Sequence, residues 1–432
     1  MNHKKNLITN FFSLSSLQMA SYILPIITVP YVVRVIGPAN YGLTSFANAF
    51  VAYFVLIVNF GFDLTASRDI SINRENKEKI SEIFFSVTAA KMFLTVATSI
   101  LFSVIVLFIP KFRQDLILYV ITYVIIMGNI FFPTWFFQGI ERLSRTALFS
   151  FLARLLFTSS IFLLIKKEDD YIILQAIYSL SQLLIGIAAF MFAIKTYKLS
   201  FYIPSIRKII ETLKESFAMF ISSVVINIYT TSNVVILGFF ASNVEVGYFS
   251  AAMKLMYVAI GLFLGPFSQT MYPYVANAFK NSNENGIIKL KKIFAIITIL
   301  TFFTSLLLFF LAPIIIKIMF GNKFLPAILT LRIISFLPFI IGISSVCGTL
   351  GLLNLKYDKI ILKISAVGAL LNIVLNLVLT PFLLGNGTAI AWLLTESYIS
   401  IATFLKLKQK GIGLFSWDEI LKFKNLLRFN NN

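Results

Sequence analysis

Ile293-Phe294-Ala295-Ile296-Ile297-Thr298-Ile299-Leu300-Thr301-Phe302-Phe303-Thr304-Ser305-Leu306-Leu307-Leu308-Phe309-Phe310-Leu311-Ala312-Pro313-Ile314-Ile315-Ile316 runs for 24 residues without a charge, between Lys291-Lys292 and Lys317. At the helical rise that length spans about 36 Å, enough to cross a hydrocarbon core of about 30 Å. Eleven comparable stretches accompany it. With it they predict twelve transmembrane helices, at 12–33, 41–62, 83–109, 116–137, 147–165, 172–194, 217–240, 247–276, 293–316, 328–353, 360–384 and 388–405. Composition agrees: of 432 residues, 58% are hydrophobic and 13% charged, and the mean hydropathy is +0.88. A soluble chain carries about 45–50% apolar and about 25% charged residues. A transmembrane barrel would need alternating segments of about ten residues, and the runs do not alternate. The first span continues into a Pro-containing segment and lacks a small-residue cleavage site, so it reads as a span and not as a cleaved leader.

The chain has a single Cys347 and a single His3. They exclude an intrachain disulfide, a Cys/His zinc site and a triad using histidine. No cofactor is implied.

Twelve spans put both termini on one side, and basic residues choose which. With the termini inside, 26 Lys and Arg fall in cytoplasmic segments and 7 in external loops. The expectation is therefore an inner-membrane protein with both termini cytoplasmic. Most of the +19 net charge then reflects topology, and a nucleic-acid partner is not indicated.

The longest internal connection separates six spans from six. The expected division is an N-lobe at 1–194, a cytoplasmic amphipathic linker at 195–216, a C-lobe at 217–405 and a basic amphipathic tail at 406–432. In the tail, Ser416-Trp417-Asp418-Glu419 fits a capping box. A faint repeat relates the halves: Tyr41-Gly42 with Ser45-Phe46-Ala47 matches Val246-Gly247 with Phe249-Ser250-Ala251-Ala252. Six plus six spans in parallel repeats is a transporter plan.

Four basic residues remain inside spans: Lys91, Arg154, Lys254 and Arg332. Such a cation costs about 2.5–3.5 kcal/mol at the bilayer centre on insertion scales unless it faces protein or water. Lys254 shares a helical face with Gly247, Ser250, Tyr257, Gly261, Gly265, Ser268 and Tyr272. Small residues alone would signify helix packing; the lysine adds a cavity-lining role. Lys91 lies with Thr88, Thr95 and Thr98, and Arg154 with Ser150 and Thr158. Snorkelling to the headgroups is the competing reading for Arg332, and interhelical hydrogen bonding for Lys91 and Arg154. Uncharged polar stripes carry Gln18 and Tyr22, Asn48 and Asn59, Asn227, and Asn372 and Asn376. Of the acids, Glu396 lies within a span and Asp63 at the end of one. Both are candidates for proton coupling or for an ion pair with a neighbouring base. Four bases against one acid favour an anionic cargo, whereas a drug/cation antiporter would favour the reverse. A membrane glycosyltransferase or polymerase would need a large external loop, and the external loops are short.

Pro25-Ile26-Ile27-Thr28-Val29-Pro30-Tyr31-Val32-Val33-Arg34-Val35-Ile36-Gly37, followed by Tyr41-Gly42 and Phe46-Ala47, resembles the amino-terminal signature of Wzx-type O-antigen flippases. So do Asn59-Phe60-Gly61-Phe62 and Ala66-Ser67-Arg68-Asp69-Ile70-Ser71, and Val246 to Leu255 resembles the family's eighth-span pattern. The resemblance implies membership of the multidrug/oligosaccharidyl-lipid/polysaccharide exporter superfamily. It implies an all-α fold, two pseudo-symmetric six-helix lobes around a central cavity, and alternating access. The implied cargo is an oligosaccharide repeat unit of O-antigen or capsule on undecaprenyl diphosphate. On this reading Lys254, Arg34, Arg154, Arg68, Lys91 and Arg332 meet the anion, and Gln18, Tyr22, Asn48, Asn59, Asn227, Tyr257, Asn372 and Asn376 line the glycan path. A polysaccharide polymerase and a chain-length regulator are the implied partners, with membrane lipid around them. Reporter tags beside Glu245 and at the carboxyl terminus should label from opposite sides of the membrane; labelling from one side would refute the span count.

Overall fold

The computed structural model describes residues 2–414, with side chains from Leu24 onward except at 143, 226, 228, 229, 262, 263, 265, 266 and 268–270. The expected capping box and most of the basic tail lie outside the described residues. The elements are all helical: α1 Asn2–Asn59, α2 Phe62–Ile72, α3 Lys77–Phe108, α4 Pro110–Arg113, α5 Leu116–Tyr123, α6 Ile125–Phe131, α7 Thr134–Gly139, α8 Leu143–Leu164, α9 Tyr171–Tyr197, α10 Ile206–Phe240, α11 Asn243–Asn281, α12 Asn283–Phe320, α13 Ala327–Ile334, α14 Leu337–Ser344, a π-helix Ser345–Leu352 and α15 Asp358–Gln409. Side-chain caps mark several starts. Asn76 accepts from the Lys79 N–H at 2.9 Å before α3, and Ser282 from the Asn285 N–H at 3.1 Å before α12.

Among the described residues, eight helical stretches are long and apolar enough to cross a membrane, or nine with the bent pair Ile206–Val225 and Thr230–Phe240. The expected span at 247–276, in α11, contains residues whose side chains are not described, and the rest of the difference from twelve has a physical cause. At 58 and 52 residues, α1 and α15 each rise more than twice the about 30 Å of a bilayer core. Each runs through the place where a loop was expected, broken only at Gly37 (φ 74°) in α1 and at Leu384 (φ 51°) in α15. Conversely, the expected span at 116–137 is divided among α5, α6 and α7. That at 328–353 is divided among α13, α14 and the π-helix, with Pro133 and Pro338 at two of the breaks.

The chain forms two compact units, Met1–Val235 and Ile236–Asn432, the dividing point lying inside α10. In the first, an aromatic ladder of Phe46, Phe50 and Phe54 on α1 packs against Phe102, Phe112, Tyr119 and Tyr123. Ring centroids are 4.5 Å apart for Phe50–Phe112 and 5.6 Å for Phe54–Phe102. A second core gathers Phe62, Ile70, Phe84, Phe85, Trp135, Phe136 and Phe137. At the other end the loop after α8 straps the Gly37 break. The Tyr31 hydroxyl donates to the Ile165 carbonyl at 2.6 Å, and the Asn40 amide to the Glu168 carbonyl at 2.8 Å. The segment 195–216 docks on α3: the Ser200 N–H donates to Ser81 Oγ at 3.0 Å, Phe201 meets Phe85 at 5.2 Å, and Lys208 pairs with Glu82 at 3.1 Å. Nearby, Arg74 pairs with Glu141 at 2.8 Å and holds its carboxyl below the usual glutamate range. That stabilisation is present above the ordinary glutamate pKa and fades as pH falls through the lowered value.

The second unit has a core of Leu290, Ile293, Phe294 and Ile297 on α12, Val346, Cys347 and Leu350 on the π-helix, and Leu407 on α15. Its outer surface is apolar, with Phe303, Phe310, Ile314 and Ile318 exposed on α12 and Leu370, Leu377 and Phe382 on α15. The first unit repeats the pattern on α3, where Phe93, Val96, Ile100 and Leu107 are exposed and Thr88, Lys91, Thr95 and Thr98 are buried. Apolar faces turn outward and polar stripes inward, as hydrocarbon solvent requires.

Helices α6 and α9 approach through glycines. A methyl group on Gly186 would run into the Gly128 carbonyl oxygen, and one on Gly128 would lie 2.7 Å from the Gln182 carbonyl carbon. Gly186→Ala should therefore destabilise the purified protein by about 1–3 kcal/mol, the usual cost of overpacking. Gly413→Ala, with nothing within 4 Å, should leave the thermal midpoint in place. Equal midpoints for the two variants would remove the close approach.

Candidate functional site

The candidate polar residues of each unit divide into those enclosed within it and those toward its surface. Lys91 is the clearest of the first kind. Its side chain is 2% exposed, and Nζ donates to Asn59 Oδ1 at 2.9 Å and to the Asn129 carbonyl at 3.3 Å. Three helices meet there: the end of α1, the middle of α3, and α6. Asn59 is the last residue of α1, and the chain turns immediately after it through Phe60 (φ 43°) and Gly61 (φ 77°) into α2. A helix end in hydrocarbon has carbonyls with no intrahelical partner. The lysine thus fixes the side chain at such an end and the backbone of a neighbouring helix. Asp63, on the first turn of α2, is exposed and acts electrostatically on Lys91.

Asn48 forms a reciprocal amide pair with Gln175 on α9, at 3.2 and 3.0 Å. Gln175 was missed in the sequence. Its signal was a stripe of Gln175, Ser179, Gln182 and Gly186 at helical spacing. Asn129 gave no such signal, because its partner is 38 residues away on another helix.

In the second unit, Asn372 and Asn376 are fully buried within a ladder along α15. Asn372 Nδ2 donates to Thr395 Oγ1 at 3.3 Å and Asn376 Nδ2 to the Asn372 carbonyl at 2.9 Å. Thr380 Oγ1 donates to Asn376 Oδ1 at 3.2 Å and meets Thr388 Oγ1 at 3.0 Å. The ladder ties together the two halves of α15 on either side of Leu384. Glu396 is buried one turn beyond Trp392, whose ring centroid lies 5.7 Å from that of Tyr257 on α11.

The remaining residues lie at the surfaces of their units. Arg34, Arg68 and Arg154 are exposed in the first, Arg68 in an ion pair with Asp69 at 2.9 Å. Lys254 and Tyr257 are exposed in the second, one turn apart on α11. They offer a cation and a phenol side by side, a pairing suited to a phosphate oxygen beside a sugar hydroxyl. Asn227 is half-buried and donates to the Ser223 carbonyl at 2.9 Å. Arg332 is half-buried, its guanidinium 5.5 Å over the Phe309 ring and its Nε without a hydrogen bond. Gln18 and Tyr22 have side chains outside the described residues.

Removing the cation at Lys91 leaves Asn59 Oδ1, on a half-buried residue, without its donor. Lys91→Met keeps the chain length and should lower stability by about 1–3 kcal/mol, read as a lower melting midpoint in detergent. An unchanged midpoint would show that the Asn59 bond holds nothing together.

Residues 7–279 match the model of a family described as polysaccharide biosynthesis protein. Two curated proteins carry the name "Putative O-antigen transporter". That of Escherichia coli (strain K12) is 32% identical over 398 residues, 92% of this chain and 96% of that protein. That of Shigella dysenteriae is 26% identical over 397 residues, 92% of this chain and 98% of its own. In three dimensions the chain resembles the lipid II flippase MurJ in an inward closed conformation, with a TM-score of 0.73 and 18% identity, covering 98% of this chain and 94% of that one. It also resembles a multidrug resistance transporter of the MATE family in its inward-facing conformation, with a TM-score of 0.72 and 14% identity, covering 96% and 99%. At these identities the structural likeness establishes the fold.

Proposed function

The chain belongs to the polysaccharide biosynthesis protein family, and on that premise we propose that it is a flippase for oligosaccharide repeat units carried on undecaprenyl diphosphate. The observation that carries this reading is the 32% identity, over 92% of the chain, to a protein named as an O-antigen transporter. The cargo is an O-antigen or capsule unit, moved from the cytoplasmic to the outer leaflet of the bacterial inner membrane by alternating access. The chain crosses twelve times in two lobes of six, α1 and α15 contributing two crossings each, with both termini cytoplasmic.

The charge balance supports an anionic cargo. Lys254, with Tyr257 beside it, is the principal contact of the second unit for the diphosphate, and Arg332 assists. Arg34, Arg68 and Arg154 are the contacts of the first. At an effective dielectric near 20, a cation about 4 Å from a phosphate gains about 4 kcal/mol before desolvation, so two or three suffice. Asn227 and Tyr257, with Gln18 and Tyr22, provide polar groups for the glycan path, while Asn48, Asn59, Asn372 and Asn376, bonded within their units, hold the helices that frame it. Lys91 serves the path by holding the break between α1 and α2. Asp63 and Glu396 are the carboxylates available for proton coupling; the membrane potential is the other source, worth about 2.3 kcal/mol per charge per 100 mV. A polysaccharide polymerase and a chain-length regulator receive the product. The MATE-like fold is equally that of a drug antiporter, but the excess of intramembrane bases disfavours cationic drugs.

Lys254→Ala should abolish surface polysaccharide in a strain dependent on this protein while its membrane level stays at wild type, and Lys254→Arg should restore part of the display. Full display with Lys254→Ala would refute the contact.

A further inference from the structure

We propose that Lys356, Lys359, Lys363, Lys406, Lys408 and Lys410, at one end of the second unit, form a binding site for the headgroup of an anionic phospholipid. All six are exposed. They come from the two ends of α15, which the fold brings together. Leu407 from the last turn shares one apolar cluster with Tyr357, Ile360 and Ile361 from the start, and Lys410 Nζ lies 4.5 Å over the Tyr357 ring. Lys359 and Lys363 lie one turn apart along the first turns of the helix, as do Lys406 and Lys410 around its end.

Topology alone does not account for this cluster. Both units carry basic residues at their inner ends, but among the described residues the first unit places acids against five of them. Arg68 pairs with Asp69, Arg74 with Glu141, Arg207 with Glu211, and Lys79 and Lys208 share Glu82. Among the described residues, none of the six lysines makes an ion pair. Lys406 donates to the Gln409 amide at 3.0 Å, and Asp358, the acid nearest in sequence, is unpaired as well. Six lysines against the single carboxylate of Asp358 leave a net positive charge that favours an external anion.

The position selects lipid as its source. Leu362, Ile401 and Leu405 are exposed beside the lysines on the same helix, so the patch is continuous with the apolar surface that meets acyl chains. A phospholipid would lay its chains along those apolar side chains and its phosphate among the lysines, with Tyr357 at headgroup level, where tyrosines favour the interface. Only the assignment to the inner leaflet rests on the orientation proposed above.

The test uses the full chain purified in neutral detergent and exposed to phosphatidylcholine vesicles with or without phosphatidylglycerol. Native mass spectrometry reads the retained lipid. Wild type should retain phosphatidylglycerol selectively. Lys359→Gln/Lys363→Gln/Lys408→Gln should bind it about 100-fold more weakly, each lysine contributing about fivefold, and the matching triple Arg variant should retain it. Raising the salt, which shortens the screening length from about 8 Å to about 3 Å, should weaken retention. Wild-type retention by the triple Gln variant would overturn the site. So would displacement of the lipid by inorganic diphosphate, which would assign the patch to a soluble anion. The readout needs no cargo, so its failure leaves the flippase reading standing, and failure of the Lys254 test leaves the lipid site standing.

Discussion

Hydrocarbon offers no hydrogen bonds, so backbone groups within a span must be paired on the same protein, and a polar side chain there gains by finding a partner on it too. The packing in both units follows from that constraint. In the first, Lys91, Asn59 and the Asn129 carbonyl bind one another across three helices, and Asn48 and Gln175 close an amide pair across two. In the second, Asn372, Asn376, Thr380, Thr388 and Thr395 satisfy one another along a single bent helix. These bonds also specify register. Sliding α3 by one turn would separate Lys91 from Asn59 and leave the buried ammonium unsatisfied, whereas apolar contacts between helices tolerate such a slip.

The helices also turn sparingly. Helical backbone continues on either side of the bends in α1 and α15, and each turns at a single residue between its two crossings. At Gly37 the residue type suits the positive φ, and the strap from Ile165 and Glu168 covers the turn. At Leu384 the conformation is unfavourable for a branched side chain, and the threonine and asparagine ladder spans the break from both sides.

Much of this was legible in the residues. The apolar runs and the inward polar stripes follow from hydropathy and helical periodicity, and the Lys91, Thr95, Thr98 face is the buried face of α3. Gly37-Pro38 signalled a change of direction, although it was read as a loop between helices and not as a kink within one. The bend at Leu384 was legible in the same way, as the break expected between the span ending at 384 and the one beginning at 388. The partners of the buried groups, by contrast, were illegible. Asn59 lies 32 residues from Lys91 and Asn48 lies 127 from Gln175, and only the folded arrangement of helices sets such pairings. Exposure was equally unavailable: Lys91 and Arg154 look alike on a helical wheel, yet one is enclosed and the other is at the surface.

The placement of the tryptophans has an optical consequence. Of three in the chain, Trp135 is enclosed among the phenylalanines of the first unit, and Trp392 lies in the second, beside Tyr257 and one turn from Glu396. Each unit therefore carries its own internal fluorophore. The two stand in unlike surroundings: a hydrocarbon-like ring cluster that should emit in the blue, and a polar neighbourhood with a carboxyl group and a phenol close enough to quench. With Trp417 replaced by phenylalanine, emission from the unlabelled protein would separate into one signal for each unit, so motion in either could be followed without attaching a dye.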